Sequence, residues 1–454
     1  MNRFGPYLPA LKNALQKLDF WRSTYGDDGF GYGLKDFGEL TNILEALALK
    51  LEGNYPFHHP QYAGQMLKPP HPVAWLAYSL AMTINPNNHA LDGGPPTSEM
   101  ERECMDLLAG MVGYKENYLG HLTSGGTIAN LEALFVAREI HPGKTIAATA
   151  NAHYTHSRMC RVLNCDFLEI PTDEKGAPDL DFIVDHANKI GTLVATIGTT
   201  GLGIVEPLSE MKALADTYGF RIHADAAYGG FFSLISETLP SKKHWAFLSE
   251  CDSIVIDPHK HGLQPYGCGS VLYKNAAVGR FFKHDSPYTY FTSDDLHLGE
   301  ISLECSRAGA AAAALWATTQ LLPLTSEGLG KILLQARNAA IRFSDLLRKN
   351  NHWTLYMQPD LDITCYFKKP DDLKLSALNR LNQSVFENGM KDREKGFHVS
   401  LFKIPAIQFT KLFPDYETDA TNAVILRSVF MKEEHYGFVD ELADRLFSVS
   451  EEYE

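Results

Sequence analysis

Between residues 76 and 315 the chain alternates short apolar runs with longer amphipathic stretches, and this alternation restricts the fold more than any other feature. Thr145–Thr149, Phe167–Ile170, Leu193–Ile197, Arg221–Ala224, Ser253–Ile256 and Ser270–Tyr273 have the length and composition of buried strands. The stretches between them, such as Leu208–Tyr218, carry apolar residues at helical spacing. Nearly continuous apolar runs suit strands covered on both faces, and the helices supply the covers. A mainly parallel α/β sheet is therefore expected. Such sheets bind ligands beyond the C-terminal ends of their strands, so polar residues there are the first candidates for function.

The flanks read differently. Residues 1–75 contain a helical piece, Phe37–Leu51, and then a loop rich in His, Pro and aromatics, Tyr55–Pro72. Such a segment is expected to pack on another body, not to fold alone. Residues 316–454 hold a helix pattern at Leu329–Lys349 and candidate strands at Trp353–Met357, Ile363–Phe367 and Val424–Phe430, a smaller α+β domain. The apolar run Ala308–Leu324 is interrupted by Thr318, Thr319 and Gln320 and reads as a buried helix, not a membrane span.

Charge and cysteine usage exclude several classes. A formal net charge of −14 argues against a broad nucleic-acid surface, which needs a basic stripe. The seven cysteines form an odd set without a CxxC pair, which fits reduced thiols in a cytoplasm better than disulfides or a zinc ribbon. The N-terminal stretch soon meets Lys12, Lys17 and Asp19 and lacks the apolar core of a signal peptide.

Five polar elements then follow one another, the first opening a helix and the other four at expected strand ends. Thr123-Ser124-Gly125-Gly126-Thr127 precedes the helical stretch Ile128–Arg138, so its backbone N–H groups could cradle a phosphate; an ordinary capped helix would look the same. His153, after Thr145–Thr149, could stack on a flat ring or act as acid and base. Thr199 and Thr200 end the next strand, without the GxGxxG of a dinucleotide site. Asp225 follows an apolar strand and is flanked by small residues. A carboxylate buried there needs a cation, which a protonated pyridine nitrogen would supply. Lys260 ends the fifth strand, in Asp257-Pro258-His259-Lys260, where apolar neighbours favour an amine nucleophile.

Singly, each element has an unremarkable reading; in this order they resemble the group II decarboxylases that depend on pyridoxal 5′-phosphate (PLP). Asp225-Ala226-Ala227 and Pro258-His259-Lys260 carry most of the likeness. Asn85-Pro86-Asn87-Asn88, Gly93-Gly94-Pro95 and Leu303-Glu304-Cys305-Ser306-Arg307-Ala308-Gly309 extend it towards the bacterial tyrosine-decarboxylase branch. It covers roughly residues 55 to 340 and thins beyond.

The resemblance implies an aspartate aminotransferase-like fold (PLP-dependent transferase fold type I) with a seven-stranded, mainly parallel sheet. It implies a homodimer with the site at the interface and residues 1–75 on the partner subunit. Gly126, Thr127 and His259 would hold the phosphate, and His153 and the methyl of Ala227 would sandwich the ring. Asp225 would pair with the ring nitrogen, Thr200 would contact ring substituents and Lys260 would hold PLP as a Schiff base. Arg307 would lie near the cofactor and the substrate carboxylate. Tyr288, or alternatively Tyr290, would protonate Cα. The implied reaction is decarboxylation of an L-amino acid, an aromatic one favoured and an acidic or basic one the alternative.

Two other readings stay open on sequence alone. One is a PLP-dependent carbon–carbon lyase of the sphingosine-phosphate lyase type, which Ser306-Arg307-Ala308-Gly309 also resembles. The other is a metal-binding or structural protein using His58, His59, His153 and His156.

Overall fold

A computed structural model describes residues 4–26, 37–283 and 301–451. Seven strands form the main sheet: β1 (Leu119–Thr123), β2 (Thr145–Thr149), β3 (Phe167–Ile170), β4 (Ile190–Thr196), β5 (Arg221–Asp225), β6 (Ser253–Ile256) and β7 (Gly269–Tyr273). Their order is β1-β7-β6-β5-β4-β2-β3, and β7 alone runs against the others. Every residue of β4, β6 and β7 is buried. That is why these segments read as continuous apolar runs and not as alternating ones.

A second, wholly antiparallel sheet joins β8 (Trp353–Leu355), β9 (Ile363–Lys368), β10 (Ser400–Pro405) and β11 (Asn422–Val429) in the order β10-β11-β9-β8. One core runs between the two sheets. Ile363 of β9 packs with Ile197, Leu202 and Val205 from the β4 end of the main sheet. Gly203 makes that approach feasible: its φ is +70°, and a Cβ there would stand 2.8 Å from Ile363 Cβ.

Two strands escaped the sequence reading. β1 contains Gly120 and a buried His121, whose ring nitrogen sits 2.7 Å from Glu132 inside the core. β10 is only partly buried, carries Lys403 and ends in Pro405, so it lacks a buried-strand signature. The expected segment boundaries also fall within elements. Helix Pro72–Met82 spans position 75 and helix Gly309–Leu321 spans position 315. These two helices pack on each other, and Ala-rich faces permit close contact.

Candidate active site

The parallel strands all end on one side of the sheet, and a cavity of about 380 Å³ opens there. Its lining comes from every segment that the sequence singled out after these strands. Gly125, Gly126 and Thr127 contribute from the turn after β1, and His153 and Tyr154 from the segment after β2. Thr196 and Thr200 follow from β4, Asp225 and Ala227 from β5, and Asp257, His259 and Lys260 from β6.

The glycine turn is shaped for close approach. Gly125 has φ +150°, and helix Gly126–Ile140 begins directly after it. A Cβ on Gly126 would lie 2.6 Å from Asp257 Oδ2, so a side chain at that position would fill the cradle. The helix start turns its first N–H groups and its positive dipole end to the cavity, as anion binding requires. His259 stands beside the turn. Its Nδ1 lies 2.9 Å from the Cys268 carbonyl and donates to it, while Nε2 stands 3.5 Å from Asp257 Oδ2. Burial pushes the His259 pKa down, against the opposing pull of Asp257.

His153 is fixed as a neutral plate. Thr155 N–H donates to its Nδ1 at 3.3 Å, and Thr155 Oγ1 lies 2.6 Å from the same atom. Burial lowers its pKa, although Asp225 pulls the other way. Lys260 Nζ reaches into the cavity 3.2 Å from Asp257 Oδ2.

Asp225 is not the partnerless carboxylate that the sequence suggested. His156 Nε2 lies 2.8 Å from its Oδ2, and Ala227 N–H donates to its Oδ1 at 3.2 Å. Burial alone would raise the Asp225 pKa, but the His156 hydrogen bond and the charges of His156 and Lys260 outweigh it and hold the group ionised. The sequence weighed His156 only as a metal ligand. Its three-residue offset from His153, which begins that helix turn, was the available signal.

Glu206 was also missed. It accepts from Thr149 Oγ1 and, at 2.7 Å, from Thr196 N–H beneath the cavity. Burial pushes its pKa up to about 7, against both hydrogen bonds. An acid whose folded pKa exceeds its ordinary 4.5 stabilises the fold most below pH 4.5 and loses that contribution as pH rises towards 7. The interval from 4.5 to about 7 corresponds to about 3 kcal/mol. Glu206→Gln is therefore expected to raise the apo-protein's melting temperature at pH 8, with the gain vanishing near pH 4.5. Equal gains at both pH values would contradict the burial argument.

Arg307 is placed differently from the expectation. Its side chain is buried against Glu101, and it donates to the carbonyls of Leu122 at 2.7 Å and Asn88 at 3.0 Å. It is absent from the cavity lining, because a buried Glu101 needs its charge where it stands. Arg427 of β11, also outside the lining, donates from Nη1 to the carbonyl of the lining residue Thr200 at 2.8 Å. Tyr288 and Tyr290 lie outside the described residues. Of the four histidines of the metal reading, His153 and His156 stay within one turn of each other. His59 packs edge-on against Phe438, His156 is engaged with Asp225, and no group of three potential ligands converges among the described residues.

Fold and cavity together define an aspartate aminotransferase-like PLP enzyme. The model of the pyridoxal-dependent decarboxylase conserved domain matches residues 40–369, and the chain belongs to that family. It is similar to the L-tyrosine decarboxylase of Enterococcus faecium, with 27% identity covering 77% of this chain and 75% of the relative. It is also similar to the L-2,4-diaminobutyrate decarboxylase of Acinetobacter baumannii, with 24% identity over 84% and 82%. Among solved structures, Oryza sativa TDC with PLP and tryptamine superimposes with a TM-score of 0.77 at 17% identity, covering 97% of this chain and 98% of that one. The protein is a PLP-dependent amino-acid decarboxylase, and PLP is its cofactor.

Proposed function

We propose that this chain removes the carboxylate of an aromatic L-amino acid, with L-tyrosine as the first candidate. The observation that carries the reading is the convergence of Lys260 Nζ, the ionised Asp225 and the neutral His153 ring on one cavity beside a side-chain-free glycine turn. When bound, PLP supplies the conjugated system that accepts the electrons of the broken bond. Gly126, Thr127 and His259 hold the phosphate. His153 and Ala227 would flank the ring and exclude water. Asp225 keeps a proton on the ring nitrogen, Thr200 orients the ring edge and Lys260 is the covalent anchor. Tyr288, with Tyr290 as the alternative, delivers the proton to Cα.

The aromatic preference draws support from a second cavity of about 220 Å³, whose wall includes Tyr55, Tyr62, His398 and Leu401. Gln65 on that wall accepts from Arg427, which in turn bonds Thr200 of the main cavity. A panel of amino acids assayed for CO2 and amine should place L-tyrosine at least about tenfold above L-aspartate and L-2,4-diaminobutyrate in kcat/KM. Preference for either of those, or aldehyde release from a phosphorylated amino alcohol without CO2, would overturn this reading.

A homodimer belongs to the same proposal. Helices Leu8–Ser23 and Phe37–Leu51 bury no residue within the chain and leave Phe20, Trp21, Ile43, Leu44 and Leu47 exposed. Apolar faces of this extent are normally covered. We assign residues 1–75 to an arm on the partner subunit, 76–315 to the cofactor domain and 316–454 to the small domain. The free cysteines suit a cytoplasmic setting. Sedimentation should give twice the 50.6 kDa chain mass, and Ile43→Glu with Leu47→Glu should halve it. A monomeric parent protein would refute the arm.

A further inference from the structure

Asp362, immediately before β9, is fully buried in the small sheet's contact with the main one. A carboxylate in such a place costs stability unless it is well partnered, and a neutral residue of similar shape would pack there without that cost. Its partners are informative. Tyr228 O–H donates to Asp362 Oδ1 at 2.5 Å, and His261 Nε2 stands 3.2 Å from Oδ2 in a close contact without hydrogen-bond alignment. The His261 and Tyr228 rings meet edge to face with centroids 4.8 Å apart. The charge of Asp362 also acts on Lys68 from the N-terminal segment.

Both partners sit beside the chemistry. Tyr228 lines the main cavity three residues after Asp225, and His261 directly follows Lys260. The two turns are already joined by one backbone bond, Asp257 N–H to the Ala227 carbonyl at 3.2 Å. Asp362 adds a second tie from outside the main sheet. Its own backbone is held there by Phe430 N–H, which donates to the Asp362 carbonyl at 2.9 Å.

We propose that Asp362 is a positioning residue that clamps the turns bearing Asp225 and Lys260 through Tyr228 and His261, and so ties the cofactor's seat to the small sheet. It touches neither cofactor nor substrate; it acts by fixing where the Asp225 carboxylate and the Lys260 amine stand relative to each other.

The test uses Asp362→Asn, Tyr228→Phe and the double variant of the full chain, each reconstituted with PLP. Three quantities are read: the visible circular dichroism of bound cofactor, which reports how asymmetrically the ring is held, the PLP dissociation constant, and the melting temperature. Each single variant should weaken PLP binding about tenfold, as loss of a charge-assisted hydrogen bond implies, and should diminish the visible band. The double variant should be no worse than the weaker-binding single one, because both changes break one device. Parent-like dichroism and affinity with only a lowered melting temperature would overturn the proposal, as would losses that multiply in the double variant. If Asp362→Asn fails to fold, Tyr228→Phe decides alone by the same two readouts. The inference rests on the roles assigned to Asp225 and Lys260. Borohydride labelling of the unsubstituted protein tests those separately, so the two failures can be told apart.

Discussion

Lys260→Ala is expected to lower kcat by a factor on the order of 10⁴ or more, since nothing replaces the covalent anchor. The same variant should lose the visible absorption of a PLP Schiff base. In the parent protein, borohydride followed by peptide mapping should place the reduced cofactor on Lys260. The fold should survive, because the side chain ends in the cavity and contributes chiefly its ion pair with Asp257. Loss of that pair leaves a buried carboxylate short of a partner, so a stability decrease of about 1–3 kcal/mol should accompany the change. Labelling at another lysine, or turnover retained by the variant, would remove Lys260 from its role.

The second large effect falls on Asp225. Asp225→Asn keeps the shape and can still accept from His156, yet it removes the charge that holds a proton on the ring nitrogen. Breaking a buried charge pair from one side costs about 3–5 kcal/mol. Expressed in the barrier, that is a drop in kcat of roughly 10² to 10⁴. His156→Leu should cost less, about tenfold, because it takes away one hydrogen bond and one of the charges that keep Asp225 ionised while the charge of Lys260 remains. The order of severity is the measurement that matters. A His156→Leu variant worse than Asp225→Asn would mean that the imidazole, not the carboxylate, governs the ring.

Much of this site was legible in the sequence because an α/β sheet converts chain order into spatial order. Strand-end positions such as Asp225 and Lys260 recur after each apolar run, so five modest signals could be added together. What stayed hidden depended on contacts between distant segments. His156 finds Asp225 across two strands, and Glu206 reaches back to Thr149 and Thr196. Neither pairing leaves a periodic trace. Arg307 shows the opposite limit. The motif around it was visible, but the demand of Glu101 for a buried counter-charge, which sets where the guanidinium points, was not. β1 was lost because the glycine and the histidine within it depress the apolar signal, although the sheet satisfies both.

The adjacency of β5 and β6 has a consequence for how such a protein can diverge. Their parallel register pairs Asp225 with Val255, two residues before Asp257 and its turn. The spacing between the carboxylate and the amine is therefore set by backbone pairing. A single-residue deletion within β6 would reverse which face each later side chain meets and would carry Lys260 away from the cavity. A deletion of the same size at the exposed end of the 3-10 helix Gly230–Thr238 in the crossover, at Glu237, would leave that pairing unchanged. Lineages built on this sheet are free to lengthen, shorten or exchange their crossovers, and with them the pocket walls, while the reacting groups keep their spacing.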